Sequence, residues 1–200
     1  WQNSENLLCG IRGRQRNQFL PESDFSNISG EDYFVFPAKV LLAADYGVPQ
    51  SRERVIFIGL KKSAVKPEIL GFLANLEDHD ELSPYPNVTH SEFEQDGLLP
   101  YFTVREALAG LLEPEHTKDI DQKKFSGAKF MGKHCQGQIE VNLDSIGPTI
   151  RSEHHGNIEF RRLSEEHGGR YHNELSAGCK ERRLTIRECA RIQSFPDRKS

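Results

Sequence analysis

The sequence lacks the features that mark membrane, secreted and disulfide-rich proteins. No apolar run approaches the roughly twenty residues that span a bilayer, and no signal-peptide pattern opens the chain. Its four cysteines are scattered without Cys-x-x-Cys spacing, which argues against a disulfide scaffold and favours a reducing compartment. With 36% hydrophobic and 28% charged residues among 200, the chain is predicted to be a soluble module with one core or two small ones.

The sequence also lacks the positive net charge that is common in nucleic-acid-binding proteins, since its formal charge is -4. Its charges are segregated, however, and binding depends on local charge. Acidic residues collect in three stretches between positions 77 and 121, whereas basic residues collect at 123–133 and 180–191. Glycines within the first basic stretch would let its backbone approach a phosphate closely. A mobile, solvated loop over residues 122–138 is the alternative interpretation.

A helix is predicted to begin at Thr185, because Thr185 and Glu188 have the spacing of a capping box. Four arginines crowd this helix start, although the dipole at a helix amino terminus disfavours cations. They are Arg182, Arg183, Arg187 and Arg191. Such a cluster requires either a bound anion or carboxylates close by.

A second helix is predicted from Thr103, where Glu106 completes another capping box and apolar residues continue at helical spacing to Leu112. Arg105 in its first turn is expected to be a solvated or paired structural arginine, as exposed charges usually are. This helix is therefore interpreted as a packing element.

Two apolar runs, 40–44 and 55–59, are typical of buried strands. A loop with glycine and proline joins them and ends in a Gln-x-Arg-x-Arg cluster formed by Gln50, Arg52 and Arg54. Because alternate side chains of an extended segment share one side, both guanidinium groups would suit a phosphate or a planar base edge. Pairing of both arginines with nearby acids is the alternative.

These segments resemble motifs of the cytosine-C5 DNA methyltransferase family. The Gln-x-Arg-x-Arg cluster resembles motif VIII, and residues 183–197 resemble motif IX, in the family's order. The helix at Thr103 looks like the short helix that often follows motif VIII, and residues 146–151 are similar to the strand after a target-recognition loop. The two long motifs are specific, whereas the two short ones are weak alone.

The resemblance implies an α/β (α+β) fragment with three parts. Residues 1–60 would supply the last strands of a Rossmann-like, S-adenosylmethionine-dependent methyltransferase sheet, together with motif VIII. Residues 61–182 would form a mixed, loop-rich target-recognition domain with short strands at 139–143 and 149–151. Residues 183–200 would carry the motif IX helix back toward the catalytic domain.

Three segments of the family are missing from this sequence: the catalytic Pro-Cys-Gln segment, the Glu-Asn-Val segment and the glycine-rich S-adenosylmethionine loop. Cys9 lacks the family's flanking residues and is not assigned as the nucleophile. The chain is therefore predicted to be the C-terminal portion of a DNA (cytosine-5-)methyltransferase, inactive alone and without cofactor or metal ligands of its own. S-adenosylmethionine would be bound by the parent enzyme.

The resemblance also implies a mechanism and partners. In the parent enzyme, a cysteine from the missing part attacks C6 of a cytosine that is flipped out, because the ring cannot be reached in the stack. Gln50, Arg52 and Arg54 would support catalysis, Arg54 by bonding the flipped cytosine or its phosphate and Arg52 by bonding the adjoining backbone. Expected partners are double-stranded DNA, the rest of the methyltransferase chain and a cognate restriction endonuclease, in the bacterial cytoplasm at the nucleoid.

DNA recognition is predicted mainly in residues 151–162, the densest polar cluster, which offers Arg for guanine, Asn for adenine and Glu for the cytosine amino group. The predicted DNA-binding residues are Lys129, Lys133, Arg151, Glu153, His154, His155, Asn157, Arg161, Arg162, Arg183 and Arg187. Two alternatives are a structural zinc site, for which finger spacing is lacking, and a nuclease-like His-Asn site, for which a supporting motif is lacking.

Two other functions fit the same motifs. The chain could be an inert DNA-binding module left by truncation, which an upstream Pro-Cys-Gln segment in the same reading frame would argue against. It could also come from an RNA-directed member of the family. The long region between the two motifs favours DNA, because sequence recognition is lodged there.

Overall fold

A computed structural model of the chain describes residues 32–73, 75, 83–93, 97–134, 137–151 and 158–197. Four predicted DNA-binding residues lie outside these ranges: Glu153, His154, His155 and Asn157. The chain divides into two compact units, Trp1–Leu41 with Glu53–Asn87, and Leu42–Arg52 with Val88–Ser200. These units follow contacts between residues, so the functional division predicted at positions 60 and 182 stays a prediction.

The first unit contains two small sheets and one helix. Strand β1 (Tyr33–Val35) pairs antiparallel with β4 (Gly59–Lys61), and β2 (Lys39–Leu42) pairs with β3 (Glu53–Ile56). A 3-10 turn at Lys62–Ala64 and helix α1 (Pro67–Leu73) follow. The Tyr85 hydroxyl lies 2.7 Å from the Pro37 carbonyl oxygen and 3.2 Å from that of Ile56, which ties the end of this unit to its strands.

The apolar runs 40–44 and 55–59 contribute to strands, as predicted, but the prediction that they are buried holds fully only for Leu42 and Ala44, which are 6% and 0% exposed. Val40, Val55 and Phe57 are 41%, 45% and 50% exposed. The first run leaves its strand after Leu42 and enters a 3-10 helix, Ala43–Tyr46. Each sheet has only two strands, which are too few to cover both faces.

The second unit is built around a three-stranded sheet. Strand β7 (Ile139–Glu140) pairs parallel with β8 (Glu159–Arg162), and β8 pairs antiparallel with β9 (Arg182–Arg183). Strands β5 (His90–Ser91) and β6 (Leu99–Pro100) form a separate parallel pair. The helices of this unit are α2 (Val104–Ala107), α3 (Ile120–Lys123), α4 (His172–Ser176) and α5 (Ile186–Ile192).

Both predicted capping boxes are confirmed. The Thr103 hydroxyl accepts from the Glu106 N–H over 3.3 Å, and the Glu106 carboxylate accepts from the Thr103 N–H over 2.8 Å. Thr185 and Glu188 repeat the arrangement at 3.0 and 2.8 Å. Helix α2 is shorter than predicted, because the residues after Ala107 form tighter turns with hydrogen bonds three residues back, and Leu112 is 58% exposed.

The helices α2 and α5 pack on one core in the second unit. Its buried members are Val104, Val141, Leu143, Leu184 and Ile192. The strand predicted at 139–143 covers only β7. No strand forms at 149–151, where Thr149 reaches the Ser51 carbonyl oxygen with its side-chain hydroxyl, so the bridge at Gly147 is not continued. The architecture is mixed α/β with small sheets, and none of the described helices is long and apolar enough to cross a membrane.

Candidate functional site

The loop that carries Gln50 is fastened to the segment around Gly147. Gln50 and Gly147 form a parallel bridge, and the Ser51 N–H donates to the Gly147 carbonyl over 2.7 Å. A Cβ atom at position 147 would lie 3.1 Å from a methyl carbon of Val104 and 3.1 Å from one of Ile192, so glycine allows this close approach. The loop resembling motif VIII and the helix resembling motif IX therefore meet on the same core.

Gln50 is 1% exposed, and its side-chain Nε2 has no hydrogen-bond acceptor among the residues that the structure describes. A buried amide donor without a partner is costly, so native folds rarely leave one unsatisfied. Gln50 is thus the member of the Gln-x-Arg-x-Arg cluster with a buried donor that no described residue satisfies.

Within the described ranges, no carboxylate pairs with Arg52 or Arg54. Arg52, at the end of Leu42–Arg52 in the second unit, is half-buried, and Arg54, on β3 in the first unit, is exposed. Arg54 donates from Nη1 to the carbonyl oxygen of its neighbour Glu53 over 2.5 Å. Within the described ranges neither arginine forms an ion pair, so the alternative that both pair with nearby acids is not what the structure shows.

Arg162 is buried and pairs with two carboxylates of the fold. Its side chain is 1% exposed, its Nη2 lies 2.6 Å from Glu113 Oε2, and its Nη1 lies 2.7 Å from Glu174 Oε2. Its Nε also donates to the Lys180 carbonyl over 3.2 Å. Burial alone would raise the pKa of Glu174, but hydrogen bonding to Arg162 and the charge of Arg161 outweigh it, so the pKa lies below its ordinary value.

Arg182 extends the same set of ion pairs. It binds both carboxylate oxygens of Glu188, at 2.8 and 2.9 Å, and contacts Glu113 at 3.2 Å. Burial would lower the pKa of Arg182, but these two carboxylates raise it overall. Glu113 therefore joins Arg162 to Arg182, in a chain that runs from Glu174 to Glu188.

Arg187 and Arg191 pair with a second group of acids. Arg187 lies 2.7 Å from Asp119 and 3.5 Å from Asp197, while Arg191 lies 2.6 Å from Asp197. Hydrogen bonding to Arg187 holds the pKa of Asp119 below its ordinary value. Of the two explanations for arginines at this helix start, nearby carboxylates are the one that the structure shows.

Two more arginines of the predicted DNA-binding set, Arg161 and Arg183, are also packed into the fold. Arg183 is 3% exposed, and its guanidinium carbon lies 5.0 Å from the centroid of the Phe160 ring. Burial lowers the pKa of Arg183, although Glu159 opposes this effect. Arg161 pairs with Glu174 at 3.0 Å and lies 5.8 Å from the Tyr171 ring centroid.

Lys129, Lys133 and Arg151 are the exposed members of the predicted set within the described ranges. Among the described residues, no three His, Cys, Asp or Glu side chains form a cluster that could hold a metal ion, and Cys135, His154 and His155 lie outside them.

Glu113 and Glu174 were not predicted from the sequence as partners of the arginines. The available signal was the segregation of charge itself, because acids at 113–121 precede the arginine-rich segment at 182–191 and the two groups are complementary. The pair of His167 Nδ1 and Glu181 Oε2, which lie 2.9 Å apart, was not predicted either.

Comparisons with known proteins agree on one family. A model of the C-5 cytosine-specific DNA methylase family matches residues 3–198. The chain is 26% identical to the type II methyltransferase M.BsuRI of Bacillus subtilis, over 98% of the chain and 38% of that protein. It is 30% identical to M.BspRI of Lysinibacillus sphaericus, over 80% and 32%, and 30% identical to M.HhaI of Haemophilus parahaemolyticus, over 86% and 46%. The chain thus spans about a third to a half of the length of these curated relatives.

Proposed function

The chain belongs to the family of C-5 cytosine-specific DNA methylases, and on that premise we propose that it is the C-terminal, DNA-recognising portion of a DNA (cytosine-5-)methyltransferase. The complete enzyme would methylate C5 of a flipped cytosine in a specific duplex site. The relatives named type II methyltransferases support a role in restriction and modification, with a cognate endonuclease as a partner in the cell.

The observation that carries this proposal is the meeting of two family motifs on one core. Gln50 bridges to Gly147, and Gly147 lies against Ile192 of helix α5. Backbone hydrogen bonds, rather than flexible side chains, fix this junction. A rigid junction is what a site assembled from distant segments requires, because catalytic and binding groups must be held to within a fraction of an ångström.

Within this proposal, Gln50, Arg52 and Arg54 attend the flipped nucleotide. A cytosine must leave the stack before its ring can be attacked, and it brings phosphate charge into a closed site. Guanidinium groups without carboxylate partners in the described residues are suited to that charge. Arg54 binds the cytosine or its phosphate, Arg52 binds the adjoining backbone, and Gln50 supplies an unused amide donor.

We divide the predicted DNA-binding residues into direct and indirect contributors. Lys129, Lys133 and Arg151 are exposed and would meet DNA, together with the polar residues of 152–157. The remaining members are held by carboxylates or buried in the fold, and would act by fixing β8, β9 and α5. They are Arg161, Arg162, Arg183 and Arg187.

The described residues do not fit an S-adenosylmethionine site. Nucleotide-type cofactors in Rossmann-like folds sit at a glycine-rich turn between a strand and a helix. Helices α2 and α5, which closely follow strands, begin instead at the capping residues Thr103 and Thr185. In this proposal, the methyl donor and the rest of the Rossmann-like sheet therefore belong to the other part of the enzyme.

Bisulfite sequencing of DNA from cells that express the full-length gene tests activity and specificity together. The expected result is protection of cytosines within one short sequence, in a host without its own cytosine methyltransferase. Complete conversion of every cytosine, with the protein folded and present, would contradict the proposed methyltransferase activity. It would favour an inert DNA-binding module.

The same proposal predicts that residues 1–200 alone neither bind S-adenosylmethionine nor methylate DNA. Calorimetry with the cofactor and a tritium-transfer assay on unmethylated duplex check this. Methyl transfer by the isolated chain, prepared from a host free of methyltransferases, would show that residues 1–200 themselves carry the catalytic machinery.

A further inference from the structure

The basic loop, which we define as residues 126–134, is fixed at its middle. The Phe130 ring packs edge-to-face on Phe160, with centroids 5.7 Å apart and planes at 84°, and lies 4.8 Å from the His167 ring. Phe160 belongs to β8 and is 2% exposed. Edge-to-face pairs are a preferred aromatic geometry, so Phe130 is an anchor rather than a solvated residue.

The next residue of the basic loop is fixed through its backbone. The Met131 N–H donates to Oε1 of Gln138 over 2.8 Å, and Gln138 is 5% exposed. A buried side-chain acceptor that serves a loop N–H restricts the loop more than a solvated one, because breaking the bond leaves a buried polar group unsatisfied. Two adjacent loop residues are thus held by independent contacts.

The surface beneath Phe130 is itself ordered. His167 Nδ1 lies 2.9 Å from Glu181 Oε2, and the same carboxylate accepts the Ser164 N–H over 2.7 Å. Beyond the anchor, Gly132 adopts φ 99°, a left-handed conformation that other residues rarely take. This turn sets the direction in which Lys133 leaves the anchored pair.

We propose that Phe130 and Gln138 are positioning residues for DNA binding, which hold the basic loop so that Lys129 and Lys133 meet the phosphate backbone in an ordered arrangement. This inference rests on the proposed DNA-binding function. Lys129 and Lys133 are exposed and flank the anchored residues on either side. Ordering the loop before binding strengthens phosphate contacts, because less conformational entropy is lost when DNA arrives.

The test measures the DNA affinity of the full-length enzyme as a function of salt concentration. Each phosphate contact contributes about 0.9 to the slope of log K against log salt, so Lys129→Ala with Lys133→Ala should lower the slope by about 1.8. Phe130→Ala should lower it by about 1 or more, because the lysines lose their fixed backbone. In the Lys129→Ala, Lys133→Ala background, Phe130→Ala should change affinity by less than about twofold.

Gln138 provides a second test. Gln138→Met removes the acceptor for the Met131 N–H at similar volume and should reduce the salt slope, although it changes no charge. Phe93→Ala, at a 71% exposed aromatic residue of the same unit, is the control and should bind like the wild type.

The outcomes separate this inference from the proposed function. If the double lysine variant binds DNA as the wild type does, the proposed DNA contacts fail and this inference fails with them. If the lysines matter but Phe130→Ala lowers affinity equally in both backgrounds, the anchor acts on the fold in general and the positioning role is overturned. Should Phe130→Ala not fold, a wild-type salt slope for Gln138→Met would overturn it instead.

Discussion

The arginines at positions 182–191 and those at positions 52 and 54 carry the same charge but meet different surroundings. In the first group, Arg182, Arg187 and Arg191 each bind at least one carboxylate at 2.6–2.8 Å. In the second group, neither arginine forms an ion pair within the described part of the chain. The difference teaches that a cluster of arginines indicates a bound anion, but that this anion can be a carboxylate of the protein itself.

Burial explains why the first group needs partners. Moving a guanidinium out of water is costly, and its planar fork recovers that cost best by bidentate pairing with carboxylates. Arg182 and Arg187 are 5% and 8% exposed, and Arg182 shares Glu113 with the buried Arg162 of β8. The second group contains an exposed Arg54 and a half-buried Arg52, for which water suffices until a ligand binds.

The largest effect is expected when the shared carboxylate is removed. Glu113→Ala should lower the free energy of unfolding by about 3 kcal/mol, the low end of the cost of breaking buried pairs, since Glu174 and Glu188 remain. Urea denaturation measures it. The control is Glu115→Ala, a half-exposed residue 3.9 Å from Lys180, which should change stability by less than about 0.5 kcal/mol. Equal effects of the two substitutions would show that the contacts of Glu113 with Arg162 and Arg182 do not stabilise the fold.

The next effect concerns Arg54, which pairs with no carboxylate of the described residues. Arg54→Ala in the full-length enzyme should lower turnover by about a hundredfold, as loss of a charge-stabilising donor does, while leaving the melting temperature unchanged. The melting temperature should not change because the Arg54 side chain is exposed. Lys61→Ala, on β4 of the same unit, should alter neither quantity. Unchanged turnover would exclude Arg54 from the site, and a large drop in melting temperature would make it structural.

The contrast between these two groups marks what the sequence could and could not predict. Both capping boxes were predicted because their signals lie within four residues. Glu113 was not identified as a partner because 49 and 69 positions separate it from Arg162 and Arg182, and nothing in local spacing pairs them. The exposure of Val40 and Val55 was mispredicted for a similar reason, since an apolar run does not reveal how many strands will cover it.

A smaller effect should separate residues that read bases from those that support the sheet. Asn157→Ala should change sequence preference by about 1 to 3 kcal/mol at one position, whereas Arg161→Ala should not, because Glu174 holds its guanidinium. Lys129→Ala is the reference and should weaken all sequences alike. Footprints across a randomised duplex library measure this, and a uniform loss for Asn157→Ala would mean that its segment positions DNA without reading it.

The smallest effect is expected at the exposed pair of Arg105 and Asp144. Arg105 Nε and Nη2 lie 2.6 and 3.0 Å from the two oxygens of Asp144, a bidentate geometry like that of Arg182 with Glu188, but the side chains are 54% and 64% exposed. Water and salt screen such a pair, so Asp144→Ala should shift the melting temperature by less than about 2 °C. Arg105→Ala and the double variant complete a cycle, measured at low and high salt. If this pair proved as important as the pair of Arg182 and Glu188, geometry rather than burial would set the strength of these contacts, and the comparison between the two arginine groups would lose its physical basis.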